Sequence, residues 1–384
     1  MTGPLNGMRI LTIEEYGVGP FATQLLVDMG AQVTKIENAA VGGDTSRRIS
    51  PFQSGDDSLF FESLNRGKHS VALDLKSEDG RRVFHSLIEK SDGLLNNLRS
   101  TTAKRLGLRF EDLKTVNPKI VCCSASGWGT AGPNAAKPAY DYLLQAYIGN
   151  MDMTGEPDGP PARSAIPWVD TSTGIAAALG LVSGIWSAGR TDEGCDVDVS
   201  MVDVAMSQWI YLATWYLSAD MVPQRQSMSR HPSVVPSRQF ETSDGHVILM
   251  AQTQAFWENF CRAAGVPELI DDPRFRLLAD RQQHSEALMA VLEPMFLTRT
   301  SQEWIDVLGD DVPIGKINSF SEAMDRYGEE YPEQILEWDH DEFGRVRTIG
   351  SPIRFAGERP PPVRAPRLGE HTDELIQLAA RKHD

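Results

Sequence analysis

Apolar and polar positions alternate in short blocks along the first third of the chain. Residues 8–13, Met-Arg-Ile-Leu-Thr-Ile, make a compact apolar run. Residues 20–29 repeat apolar positions at helical spacing behind Pro20, and residues 32–36 are a second short run ending at Glu37. This pattern predicts strand, helix and strand, with the proline tolerated in the first helical turn. The alternation continues with a strand at 71–75, an amphipathic helix at 80–89, and strands at 93–98 and 120–125. Strands alternating with helices imply a parallel sheet covered on both faces, hence an α/β domain. Ligands of such sheets sit beyond the carboxyl ends of the strands, where the loops at Gly17, Asn97 and Ser126-Gly127 would converge.

Further along, the pattern changes. Residues 171–219 read as helices, among them a buried one over 174–186, a run of small and apolar residues too short to span a membrane. Residues 221–238 contain Pro223, Pro232 and Pro236 and no apolar period, which predicts a connecting loop. Two short runs, 239–242 and 246–251, flank Ser243-Asp244-Gly245 and predict a hairpin. Helices follow at 255–264, 283–296 and 301–308, giving a smaller α+β domain. From about 320 the chain is acidic and irregular, and Arg359-Pro360-Pro361-Pro362 predicts a stiff linker into a last helix at 372–381.

Two aspartates stand where a carboxylate could do chemistry. Asp170 follows an apolar run and precedes the helix predicted from 174, which puts it at a helix start. Unsatisfied backbone N–H groups and the positive end of the helix dipole would keep it ionised there, and an ionised carboxylate is a nucleophile without a separate base. Asp is also a preferred N-cap, so a purely structural role fits the same position, and more so for Asp141. Gly17-Val18-Gly19-Pro20-Phe21-Ala22 satisfies G-x-G-x-x-A with an acid twenty positions after its first glycine, yet glycines before a helix also suit any close-packed turn. Asp339-His340-Asp341 resembles a metal-ligand set but lies in a charged stretch that reads as a solvated turn.

Composition narrows the function. The 384-residue chain is 41% hydrophobic, enough for two domains, and its opening residues predict no secretory signal, hence a cytoplasmic protein. Cys122, Cys123, Cys195 and Cys261 have neither disulfide nor zinc spacing and read as buried thiols; no metal is expected. A net charge of −16 opposes nucleic acid and anionic membrane surfaces as partners. An anionic ligand must then meet local cations, with Arg47, Arg48, Arg66, Lys68, Lys104 and Arg105 as candidates in the first third.

The chain resembles the class III CoA-transferases, the group of formyl-CoA:oxalate and carnitine CoA-transferases, and the related α-methylacyl-CoA racemases. The resemblance runs nearly end to end. It is carried in order by Met8-Arg9-Ile10-Leu11 with Gly19-Pro20, Gly30-Ala31-Gln32-Val33, Asn65-Arg66-Gly67-Lys68-His69-Ser70, Ser126-Gly127-Trp128-Gly129, Asp141, Asp170, Arg230-His231-Pro232-Ser233 and Leu368-Gly369-Glu370-His371-Thr372. It implies that Asp170 attacks an acyl-CoA thioester, with Asp141 and Tyr140 in support. CoA would be a substrate, with no tightly bound cofactor, held at Gly19, Asn97 and Ser126 and by Arg105, Lys68 and Arg66. His231, Pro232 and Ser233 would shield the site.

The implied fold is a large Rossmann-like domain (1–205), a linker (206–238), a small α+β domain (239–320), a second linker (321–358) and a C-terminal segment (359–384) returning to the large domain, in an interlocked homodimer. The implied activity is CoA transfer to a small carboxylic or dicarboxylic acid through aspartyl intermediates. An acyl-CoA racemase or isomerase and a non-catalytic CoA-ester-binding protein are the alternatives. Racemases carry His-Asp where this chain has Tyr140-Asp141, and need a second acid near 252–254 that is missing here. The formyl-CoA type has glutamine where Gly17 stands and arginine where Asn38 stands, which speaks against oxalate or formate as the acid.

Overall fold

The computed structural model describes residues 3–355 and 361–380. Two compact units result, the first from Met1–Ile148, Ser164–Ile210 and Tyr331–Asp384, the second from Gly149–Arg163 and Tyr211–Glu330. Residues 149–163 thus belong with the second unit and not with the large domain to which 1–205 was assigned.

The first unit is built on β1 (Arg9–Ile13), α1 (Val18–Asp28), β2 (Gln32–Glu37), β3 (His69–Ala72), α2 (Glu78–Glu89), β4 (Gly93–Asn96), β5 (Val121–Ser126), α3 (Asp141–Tyr147), α4 (Trp168–Thr191) and β6 (Cys195–Ser200). The six strands form one parallel sheet in the order β3-β2-β1-β4-β5-β6, the order of Rossmann-type sheets. Alternate side chains enter opposite layers. Ile10, Val33, Leu95, Val121 and Cys123 pack in one core cluster with α1 and α4, while Leu11, Ile36, Leu94 and Cys122 pack in the other with α2. Both faces are covered, as the near-continuous apolar strands require. Helix α1 ends where Gly30 takes a φ of 98°, a left-handed stop after the Met29 cap.

The sequence foresaw only part of α4, residues 174–186. It runs 24 residues and is by length and apolar composition long enough to cross a membrane. In this fold it is the core helix of the sheet. Its small residues let it approach closely: a Cβ on Gly174 would lie 3.0 Å from the Val18 carbonyl, and one on Gly184 2.7 Å from a Val121 methyl. Strand β6 was not foreseen either, since 171–219 read as helical throughout.

The second unit holds an antiparallel sheet in which His246–Met250 lies between Ser237–Glu241 and Ile314–Lys316, so the expected hairpin forms. Helices Gln254–Ala263, Ser285–Phe296 and Ser301–Leu308 cover a core of Phe240, Trp257, Phe260, Phe296 and Trp304.

The stretch from 320 is not irregular. It forms the helix Phe320–Glu330 and a hairpin, Ile335–His340 with Gly344–Ile349, whose Leu336, Trp338 and Val346 share a small core. Arg359 and Pro360 lie outside the described residues. Beyond them the His371 amide donates to the Ser70 carbonyl at 2.9 Å, which ties the helix Thr372–Ala380 to the β3 edge, and Leu375 is buried beside α2.

Candidate active site

Strand order reverses between β1 and β4, so the loops after them diverge and leave a crevice, the usual ligand position of such sheets. A cavity of about 570 Å³ opens there, lined among others by Tyr16, Gly17, Asn97, Ser126, Tyr140 and Asp170. That volume suits a small-molecule site.

Asp170 is the third residue of α4, whose cap position is held by Pro167 without a side-chain cap. The structure corrects the expectation that the helix keeps it ionised. Asp170 is only 8% exposed, and burial first, then the Asp141 charge, pushes its carboxyl up to about 7. The helix end offers ~0.3–1 kcal/mol, whereas removing a carboxylate from water costs several times more. Near neutral pH the carboxylate is therefore poorly solvated and only partly protonated.

Asp141 explains how that first turn is fixed. It opens α3, where its Oδ1 accepts from the Gln145 amide at 2.6 Å and its Oδ2 accepts from the Asp170 backbone N–H at 3.0 Å. The amide N–H at the α4 start is thus capped by Asp141, which is buried and does not line the cavity. Tyr140 does line it, 66% exposed, with its ring edge-on to Tyr16 at 6.5 Å between centroids.

The glycines of the G-x-G-x-x-A pattern answer to space. A Cβ on Gly17 would lie 2.3 Å from Asp170 Oδ2, and one on Gly19 2.6 Å from the Glu14 Cβ. Gly19 is buried and serves packing, away from the cavity wall. Asn97 clasps the backbone of Glu15, accepting from its N–H at 2.9 Å and donating to its carbonyl at 2.7 Å. Ser126 closes β5 on the cavity wall, and its buried Oγ has no hydrogen-bond partner.

The expected phosphate-binding cations are differently placed. Arg66 forms a two-pronged pair with Asp28 at 2.6 Å on each arm. Lys68 is enclosed, donating to Glu14 Oε1 at 2.9 Å, the Pro20 carbonyl and Asn65 Oδ1. Arg47 is likewise buried against Glu37. Arg105 is exposed on the helix Ser100–Leu106 and is not on the cavity wall. The cations that are on the wall, Arg99 and Lys137, were missed. Arg99 could have been found, because it follows the carboxyl end of β4 by three residues, where such sheets bind ligands.

A second crevice of about 200 Å³, lined by Leu73, Leu75, Lys76, Leu98 and Asn38 among others, lies at the same end of the sheet and shares Glu15 and Leu98 with the first. His231 lies in the second unit, its Nδ1 accepting from the Ser233 N–H at 3.1 Å and its Nε2 3.3 Å from the Tyr211 hydroxyl, with Pro232 between. Cys122, Cys123 and Cys261 are buried as expected, whereas Cys195 is only half-buried.

His340 is not solvated. Its Nε2 lies 3.2 Å from Asp57 Oδ2 and 3.4 Å from Glu62 Oε1, a set whose atoms are close enough to hold a metal ion. Its Nδ1 accepts from the Glu342 N–H at 3.1 Å, however, which leaves the ring proton on Nε2, facing the carboxylates. That tautomer suits a hydrogen-bonded cluster better than metal ligation.

A Rossmann-type sheet with a buried, hard-to-ionise carboxylate on the wall of its switch-point cavity defines an α/β enzyme of small-molecule chemistry. The chain belongs to CoA-transferase family III, which it matches over residues 5–372, and it is a CoA-transferase. It is 34% identical over 372 residues to the acetyl-CoA:oxalate CoA-transferase of Acetobacter aceti, covering 96% of this chain and 94% of that one. It is 33% identical to the succinyl-CoA:mesaconate CoA-transferase of Haloarcula hispanica, covering 98% of this chain and 96% of that one. Among solved structures it resembles a CAIB/BAIF family protein from Brucella suis, with a TM-score of 0.83 at 28% identity over 99% of this chain and 100% of that one.

Proposed function

We propose that this enzyme moves CoA from an acyl-CoA thioester to a small carboxylic or dicarboxylic acid, with Asp170 as nucleophile. The observation that carries the proposal is the Asp170 carboxylate, buried, raised to about 7 and standing on the cavity wall. A carboxylate oxygen of Asp170 attacks the thioester carbonyl carbon, the C–S bond breaks, and CoA leaves as thiolate from an acyl-aspartyl anhydride. The thiolate attacks the aspartyl carbonyl carbon, which releases the first acid and leaves an aspartyl-CoA thioester. The acceptor carboxylate attacks that thioester and expels the thiolate, which then takes the acceptor's acyl carbon and restores Asp170. Poor solvation makes the carboxylate reactive, and a site closed to water protects the anhydride.

Other side chains divide the remaining work. Asp141 holds the first turn of α4, and so aims Asp170, without meeting the substrate. Arg99 and Lys137 place positive charge on the cavity wall for CoA phosphates or the acid, which the net charge of −16 elsewhere would repel. The second crevice, with apolar Leu73, Leu75 and Leu98 beside Lys76, suits the adenine end of CoA. His231, Pro232 and Ser233 are assigned to a shielding loop on family resemblance.

Acetyl-CoA and succinyl-CoA, each offered with oxalate, glutarate and mesaconate and followed by mass detection of the new thioester, test the activity. At least one pair should turn over, and hydroxylamine should leave a hydroxamate on the peptide containing Asp170. Turnover with the hydroxamate elsewhere would remove Asp170 from the reaction.

The same reading makes the enzyme an interlocked homodimer. Ile175, Leu179 and Trp186 stand 55%, 68% and 66% exposed along one stripe of α4, with Val182 between them, an apolar surface that a second copy would cover. Sedimentation at nanomolar concentration should show twice the 42.4 kDa chain mass. A stable, active monomer would contradict this.

A further inference from the structure

Six ionisable side chains are buried and form or break no bond in the transfer: Glu14, Lys35, Glu37, Asp44, Arg47 and Lys68, of which Glu14, Glu37 and Asp44 belong to the lining of the second crevice. Buried ion pairs are poor sources of net stability, so their geometry is the more informative property. It converges on the turn that follows β1. Lys35 Nζ donates to the Glu14 carbonyl at 3.0 Å and to Asp44 Oδ2 at 2.7 Å. Asp44 Oδ1 accepts from the Tyr16 N–H at 3.1 Å and from the Ser46 N–H and hydroxyl at 2.8 Å each. Asp44 is itself held through its own N–H, which donates to Glu37 Oε2 at 3.0 Å. Asn97 grips both polar atoms of the Glu15 peptide backbone between them.

Three side chains therefore clamp three consecutive residues. The clamped conformation is an unusual one, since Tyr16 sits at a φ of 69°, in the left-handed region that side chains other than Asn, Asp and Gly seldom adopt. The next residue is Gly17, whose missing Cβ makes room for Asp170 Oδ2. A shift in this turn moves the surface against which the carboxylate rests.

We propose that Asp44 and Lys35 are positioning residues for the transfer reaction: by fixing the backbone of residues 14 and 16 they set where Gly17 meets the Asp170 carboxylate and keep water from it. This rests on Asp170 being the nucleophile. Asp44 stands in the lining of the second crevice, yet it is buried and both its carboxylate oxygens are taken by Lys35, Tyr16 and Ser46, and Lys35 is enclosed, so neither charged group is offered to substrate. Both act through the turn.

The test is Asp44→Asn, which puts an uncharged amide opposite Lys35, assayed as full-length enzyme over a range of pH. The expected result is a fall in kcat of about 10–100-fold, the scale of a small misplacement in a reacting group, with KM for acyl-CoA within about twofold. The acid limb of the kcat profile should also move to lower pH, because a loosened turn lets water reach Asp170. Of the other titratable groups facing that region, Asp141 from α3, Tyr16 from the turn and Tyr140, Arg99 and Lys137 on the wall remain in place, but Glu15, raised by burial and then by the Asp44 charge, is relieved in the variant, so the acid limb is compared in a Glu15→Gln background. If Asp44→Asn is insoluble, the pair Asp44→Asn with Lys35→Met removes both buried charges together and is read in the same way. A folded variant with wild-type kcat overturns the proposal, and so does a lowered kcat with the acid limb unmoved, which is what general loss of structure would give. Asp170→Asn assayed alongside separates the two levels: residual transfer there breaks the nucleophile assignment, whereas an inactive Asp170→Asn beside an unaffected Asp44→Asn breaks the positioning role alone.

Discussion

Replacing Asp170 with asparagine should reduce transfer on the order of 10³-fold or more, the scale seen when an enzyme loses its nucleophile, while acyl-CoA still binds. The amide is nearly the same size, so the α4 turn and its bond to Asp141 survive, and only the attacking electron pair is lost. The pH dependence is fixed by the same group. Its carboxyl titrates near 7, so wild-type kcat should climb as pH rises through about 7 if ionisation of Asp170 controls the chemical step. Stability runs the other way. A carboxyl raised in the folded state above its ordinary value near 3.8 contributes fully below that value, and the contribution is lost as pH climbs towards 7. Asp170→Asn should therefore melt no lower than wild type at pH 8, and should gain on it between pH 5 and 8. Calorimetry across that range checks the sign. A variant that loses stability relative to wild type as pH rises would show that the carboxylate is not the strained group described here.

Gly17→Ala should be the second most damaging of these changes, with about a 10²-fold fall in kcat and little change in melting temperature. Gly17 has a φ of −112° and a ψ of −73°, which any residue can adopt, so the backbone does not demand glycine. Space does. The added Cβ would lie 2.3 Å from Asp170 Oδ2, closer than real contacts allow, and the easiest relief is rotation of the short Asp170 side chain away from the turn. Stopped-flow release of CoA thiolate on mixing with acyl-CoA isolates the first attack. An unchanged burst rate in Gly17→Ala would show that the carboxylate does not need this contact.

Much of the frame was legible from periodicity. Short apolar runs separated by amphipathic stretches gave β1, α1, β2, α2, β4 and β5, because a parallel strand covered on both faces must be apolar at nearly every position. Strand β6 was missed since Cys195-Asp196-Val197-Asp198-Val199-Ser200 lies at the sheet edge, where half its positions face away from the core, directly after a long helix. The hairpin of residues 335–349 hid for a similar reason: only Leu336, Trp338 and Val346 of its strands are buried, and charged Glu337, Asp339, Arg345 and Arg347 stand exposed between and beside them.

The sequence alone determined the α/β class and the family resemblance, which depend on local pattern and order along the chain, and it singled out Asp170 as the candidate nucleophile. It could not determine the state of Asp170, because a helix start predicts an ionised carboxylate and only burial beside Asp141, 29 positions earlier, reverses that. Nor could it sort the cations. Arg66, Lys68, Arg99 and Lys137 look alike as residues, and only the folded chain pairs the first two with buried acids and leaves the other two on the cavity wall. Charge is written in the sequence, but its solvation and its partners are set by residues that folding brings near from far along the chain.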